Sequence, residues 1–184
     1  MLVITPPEPL ITWDEADAQL NLSGDTSEQG LVELYIKAVS AHLDGPEGWL
    51  GRAVGVQTLE ARGRYFSESE FDLPRPPVIS VTSVKYLDTE GVEQLLDSEI
   101  YEPRGDTIVR AHGKSWPAVR SDAESVRVRY QAGYAEVPWP IKAAAMLMIG
   151  DLFANRETVT DLQSSRIVMS ATVESLLSPY RIWA

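Results

Sequence analysis

The 184-residue chain contains no cysteine and only two histidines, His42 and His112. The first absence excludes disulfides, thiolate nucleophiles and zinc–thiolate sites. The second leaves no set of closely spaced imidazole ligands for a metal. His42 stands at the end of a predicted helix, where the dipole favours a cation, and His112 stands in a glycine-containing turn; both read as surface or capping residues. Long apolar runs are lacking as well. The longest, AAAMLMIG at 143–150, is less than half of the ~20 residues that a membrane helix needs. The opening MLVITPPEPLITWDEAD lacks the basic stretch of a secretory signal. No GxSxG elbow, no GxxxxGK[ST] phosphate loop and no GxGxxG turn occurs. These absences lead to the expectation of a protein kept in a reducing compartment, without membrane span, metal, cofactor or catalytic centre.

Positive charge is scarce at the front of the chain. Residues 1–51 hold nine acids and one base, Lys37, whereas 52–137 hold 14 acids and 11 bases and 138–184 hold four of each. The formal net charge is −11. Such a field repels nucleic acid, so recognition of DNA through phosphate contacts is disfavoured. Asp14, Glu15 and Asp17 cluster, but in the first turn of a predicted helix, where the dipole stabilises acids. They read as capping residues, not as a catalytic pair. With 44% apolar and 23% charged residues the composition is that of a folded globular protein.

What is present divides by period. In ITWDEADAQLNL, Thr12 and Glu15 have capping-box spacing, and Trp13, Ala16 and Leu20 share a face of a short helix. A second helix is predicted over 28–42. It is apolar on two faces, Leu31–Leu34–Tyr35–Ala38 and Val32–Ile36–Val39–Leu43, and so is expected to be enclosed on both sides, either within its own core or also against a neighbouring subunit. The glycine-rich DGPEGWLGRAVG is a loop. From Val54 the period changes to two. QTLEARGRYF alternates, residues 78–86 are β-branched and end at the turn Asp88-Thr89-Glu90-Gly91, and in ESVRVRY the residues Val126, Val128 and Tyr130 oppose Arg127 and Arg129. After EVPWP a third, almost wholly apolar helix runs near 140–156, with Pro140 in its first turn. The expected fold is α+β. A helical part at 1–53 and a core helix within 134–158 flank an antiparallel β-rich insertion at 54–133, and an extended tail occupies 159–184, all forming one domain.

The end of the chain, SLLSPYRIWA, is unlike a fraying polar terminus. Leu177, Tyr180, Ile182 and Trp183 need burial, each contributing about 1.5–3 kcal/mol. Either the segment tucks into its own core or it inserts into a partner. The five tryptophans, Trp13, Trp49, Trp116, Trp139 and Trp183, all fall at element ends or in loops. There they pin loops to a core or serve as interface anchors.

Taken in order, several of these stretches resemble one family, the head–tail connector (adaptor, or head-completion) proteins of tailed bacteriophages and of related gene transfer agents. ITWDEADAQLNL resembles the opening helix of that family. LVELYIKAVSAHLDGPEGWLGRAVGVQTLEARGRYF resembles its long helix, loop and first strand. LPRPPVISVTSVKYLDTEG resembles its proline-led strand, and VRVRYQAGYAEVPWPIKAAAMLMIGDLFANRE its later strand and core helix. LLSPYR resembles its end. The likeness covers about residues 11–181.

The resemblance implies a structural, non-enzymatic role in a virion or phage-like particle assembled in the bacterial cytoplasm. It implies a ring homo-oligomer, a dodecamer, seated on the portal protein. The ring extends the channel for double-stranded DNA, which passes without sequence-specific binding, and it presents a surface to a stopper or tail-terminator protein. No membrane partner is implied. Leu176, Leu177, Pro179, Tyr180 and Arg181 become the portal-docking peptide, with Ile182 and Trp183 as further anchors by their chemistry. Acids among Asp25, Glu28, Glu33, Asp44 and Glu47 become candidates for the channel lining, where their repulsion keeps DNA sliding. Two other readings stand beside this one: a stopper or tail-completion protein of the same particle, and an acidic module that binds a basic protein.

Overall fold

Among the described residues four helices and two antiparallel sheets make up the fold, which is α+β. The computed structural model describes residues 1–44, 47–66, 70–155 and 169–183. It divides into two units, one of Met1–Pro7 with Val56–Tyr134 and one of Glu8–Gly55 with Ala135–Ala184.

The first unit is built on alternation. A five-stranded sheet has the order β1-β2-β8-β4-β5, formed by β1 (Leu2–Thr5), β2 (Gln57–Gly63), β4 (Val78–Leu87), β5 (Glu93–Leu95) and β8 (Val126–Ala132). A three-stranded sheet has the order β3-β7-β6, formed by β3 (Glu70–Asp72), β6 (Tyr101–Arg104) and β7 (Thr107–Arg110). Strand β8 is central because its pattern gives it one wholly apolar face. Val126, Val128, Tyr130 and Ala132 are buried. Tyr130 pairs with Leu59 on one side and Val81 on the other, and Val128 with Ala61 and Val84. Ile108, Leu73, Leu96 and Phe66 complete this core. The Tyr130 hydroxyl donates to the Pro74 carbonyl, and burial pushes its pKa up. Phe66 stacks on Trp116, with ring centroids 4.4 Å apart.

On the opposite face of the same strands the charges pair. Glu60, only 7% exposed, accepts from Arg62 Nε and Arg129 Nη2 at 3.0 Å each. Glu93 accepts from Lys85 at 2.7 Å and Arg127 at 3.1 Å. Burial raises the Glu60 pKa, but the hydrogen bonds from Arg129 and Arg62 outweigh it and hold the carboxyl below its usual range. Arg62 shares β2 with Glu60; the other three pairs run between strands, where opposite charges stabilise a sheet.

The second unit is helical. Helix α1 (Trp13–Leu20) starts at the predicted capping box: Thr12 Oγ1 accepts from the Glu15 N–H and Glu15 Oε2 from the Thr12 N–H. Helix α2 (Gln29–Asp44) follows a 3-10 turn, Thr26–Glu28, capped by Asp25. Helix α3 (Trp139–Ala154) has Pro140 in its first turn. Helix α4 (Ala171–Leu177) is capped by Ser170, whose hydroxyl accepts from the Val173 N–H. The core joins Val32, Ile36, Val39 and Leu43 of α2 to Ile141, Ala144, Ala145, Met148 and Ile149 of α3, with Val173 and Leu177 of α4. Lys142 of α3 donates to Glu15 of α1 at 2.6 Å, and this bond lowers the Glu15 pKa.

The structure departs from the sequence reading in places and sharpens it in others, for physical reasons. Residues 2–5 form a strand of the β unit, antiparallel to β2, although the whole of 1–53 was expected to be helical in character. Four residues ahead of Pro6-Pro7 are too few to display a period, and their pairing comes from residues more than fifty positions away. The segments 1–7 and 8–55 fall in different compact units, as do 56–134 and 135–184. Of the two alternatives for helix α2, enclosure within its own core holds for one apolar stripe only: Leu34, on the other, is 59% exposed in the single chain. Finally, the described part of the tail is not extended throughout. Ala171–Leu177 is helical, and a 3-10 turn, Ser178–Tyr180, continues it. Residues 159–168 of the expected extended segment lie outside the described residues.

Candidate docking site at the C-terminus

Helix α4 brings the end of the chain to the loop that follows α2. Val173 and Leu177, one turn apart, are both fully buried in the helical unit. Beyond them Pro179 is exposed, and Leu176, Tyr180, Arg181 and Ile182 are half-buried. The backbone is then tied down: the Ile182 N–H donates to the Leu50 carbonyl at 2.9 Å. The neighbouring Gly51 has φ +68°, and a Cβ there would lie 2.5 Å from the Ile182 carbonyl oxygen. Only glycine permits both the left-handed turn and this close approach.

The tie sets up a stack. The Arg181 guanidinium lies over the Trp49 ring at 4.1 Å from its centroid and over the Trp183 ring at 3.7 Å. Trp183 remains 74% exposed. An arginine face on indole is attractive through the ring quadrupole. So the apolar ending is divided. Leu177 belongs to the core of its own unit, and the residues after it present an aromatic, cationic surface.

The sequence reading missed Trp49, Leu50 and Gly51 as the seat of this segment, and Val173 as its buried anchor. The second had a signal: Ser170 as cap, then Val173 and Leu177 four apart. The first had none, because a loop-to-tail contact leaves no period.

The candidate channel acids are not equivalent. Asp25 and Glu47 are exposed, and Glu28 and Glu33 half-buried. Asp25 caps its turn by accepting from the Ser27 N–H, which lowers its pKa. Glu33 accepts from the Gln29 amide at 2.8 Å. Asp44 does not belong with them. It is 4% exposed, and its two oxygens accept the N–H groups of Val54 and Gly55 at 2.7 Å each. A carboxylate spent on closing its own loop cannot line a channel. His42 is half-buried, and desolvation lowers its pKa; His112 is exposed. Among the described residues no group of three or more His, Asp or Glu side chains could hold a metal, and no helix is long and apolar enough to cross a membrane.

No protein-family model matches the chain, and no curated protein matches it. Solved structures do. The fold is similar to that of a chain in the neck of an empty GTA particle computed with C6 symmetry (TM-score 0.74, 18% identity, covering 100% of this chain and 97% of that one). It is similar to a chain in the virion of a native gene transfer agent (GTA) particle (0.72, 18%, 100% and 95%). A third likeness is to a chain in the neck of a native GTA particle computed with C12 symmetry (0.62, 17%, 100% and 97%). At these identities the shared property is the fold, over the whole of both chains.

Proposed function

We propose that the chain is a structural component of the neck of a tailed, phage-like particle: an adaptor that forms a ring on the portal, continues the DNA channel and seats the next neck component. The observation that carries this reading is the fold likeness to chains of GTA necks across the full length of both partners. The ordered resemblance of residues 11–181 to connector proteins supports it independently. Symmetric necks, computed with C6 and C12 symmetry, support a ring of copies. Exposed Leu34 of α2 and Trp139 of α3 offer apolar surface for contacts between copies. The acids Asp25, Glu28, Glu33 and Glu47 suit a channel that DNA must pass without adhering.

The tail docks differently from a wholly free peptide. Leu177 holds it to its own unit, and Pro179, Tyr180, Arg181, Ile182 and Trp183 make the contact with the portal. The test is a tagged pull-down from the producing bacterium after particle induction, with partners identified by mass spectrometry. A portal-like protein recovered in near-equal copies, with other particle components, is the expected result. Recovery of soluble host proteins alone overturns the reading and favours an acidic binding module.

A further inference from the structure

We propose that the Trp49–Arg181–Trp183 stack is a carboxylate receptor, and that its occupant is an Asp or Glu side chain of the protein on which the C-terminal segment docks. The inference rests on the docking role proposed above and adds the chemistry of the partner.

A guanidinium is flat. Its faces are poor hydrogen-bonding surfaces, and all its N–H groups lie in the plane. Here its central carbon lies over two indole rings, 4.1 Å from the Trp49 centroid and 3.7 Å from that of Trp183. The rim of the group is therefore what a partner meets. Among the described residues no hydrogen bond or ion pair engages these side-chain N–H groups. The two indoles also displace water beside the cation, which strengthens its pairing with an anion. The side chain is ordered before any partner arrives, so little further rotamer freedom is lost on binding. The backbone beneath it is fixed by the Ile182–Leu50 hydrogen bond and by the close approach at Gly51. The planar fork and the two oxygens of a carboxylate match in spacing, and both can bond at once.

The surroundings choose among anions. Nine acids and one base in residues 1–51 belong largely to the same unit as the stack. That field opposes a polyanion such as DNA, which brings many phosphates, but opposes a single carboxylate far less. Trp183, 74% exposed, supplies apolar surface beside the cation, so the partner's acid is flanked by apolar side chains.

Zero-length carbodiimide coupling joins an amine to a carboxylate and leaves a guanidinium untouched. The experiment uses the full chain in complex with the portal-like protein of its particle, as wild type and as Arg181→Lys, Arg181→Gln and Trp183→Ala. With Arg181→Lys, mass spectrometry is expected to find an amide between position 181 and one Asp or Glu of the portal-like protein, absent from wild type. Arg181→Gln is expected to weaken co-purification at least about tenfold, the worth of one charge-assisted pair. Arg181→Lys and Trp183→Ala fall between, and thermal melting of the free chain confirms that each variant folds. An intact complex with no such cross-link, a cross-link to an acid of a second copy of this chain, or unchanged binding by Arg181→Gln overturns the receptor. A wild-type chain that forms no complex overturns the docking role itself, and the receptor with it.

Discussion

Two backbone N–H groups, of Val54 and Gly55, end on one carboxylate, and that carboxylate is buried. Removing it with Asp44→Ala leaves two donors unpaired away from water, so a loss of about 3 kcal/mol is expected in urea denaturation. Asp44→Asn retains one acceptor and should cost about half as much. Glu60 gives a pH signature. Its folded pKa lies below the ordinary 4.5. Its contribution is therefore fully present above that value and is lost as pH falls through the lower folded one. Melting temperature should drop with acidification below 4.5, and Glu60→Gln should reduce the slope of that drop. A slope unchanged by the substitution would show that Glu60 takes no part. Asp44 also shows a limit of reading: its acidity is visible in the sequence, but nothing local distinguishes a buried loop-closing carboxylate from an exposed one.

Among the elements, those with a local signal were legible. The Thr12–Glu15 capping box, the Val32–Ile36–Val39–Leu43 stripe, the proline at the start of α3 and the alternation of β8 each sit in a window of a dozen residues or fewer. Strand β1 and the seat of the tail depend on partners far along the chain, and no period announces them. Helix α4 falls between: its cap and its Val173–Leu177 spacing are local, but seven residues make a weak pattern. Because Leu177 is fully buried, Leu177→Ala should lower stability by about 2–4 kcal/mol. Deleting residues 179–184 removes none of the buried core and should leave the helical unit folded, with co-purification of particle components lost. A truncated chain that unfolds, judged by circular dichroism, would make the end of the chain a structural element only.

For the whole molecule, the uneven charge is the property most open to test. Reversing Asp25, Glu28, Glu33 and Glu47 together to lysine moves the formal charge from −11 to about −3 and brings residues 1–51 from a strongly acidic balance to a neutral one, with four new cations. Gel-shift assays at low salt should then detect binding of duplex DNA that the wild type does not show, weakening steeply as salt rises. Indifference to the reversal would remove repulsion as the purpose of these acids. The division into two units carries a different consequence, for the order of synthesis. The strands of the first unit are complete once the ribosome has passed Ala132, the last residue of β8. Helices α1 and α2 are made earlier, yet their packing partners α3 and α4 begin only at Trp139 and Ala171. At ordinary elongation rates the buried stripe of α2 is left uncovered for on the order of ten seconds. During that interval Val32, Ile36, Val39 and Leu43 are uncovered apolar surface of the kind that chaperones exist to protect, until the C-terminal helices emerge to cover them.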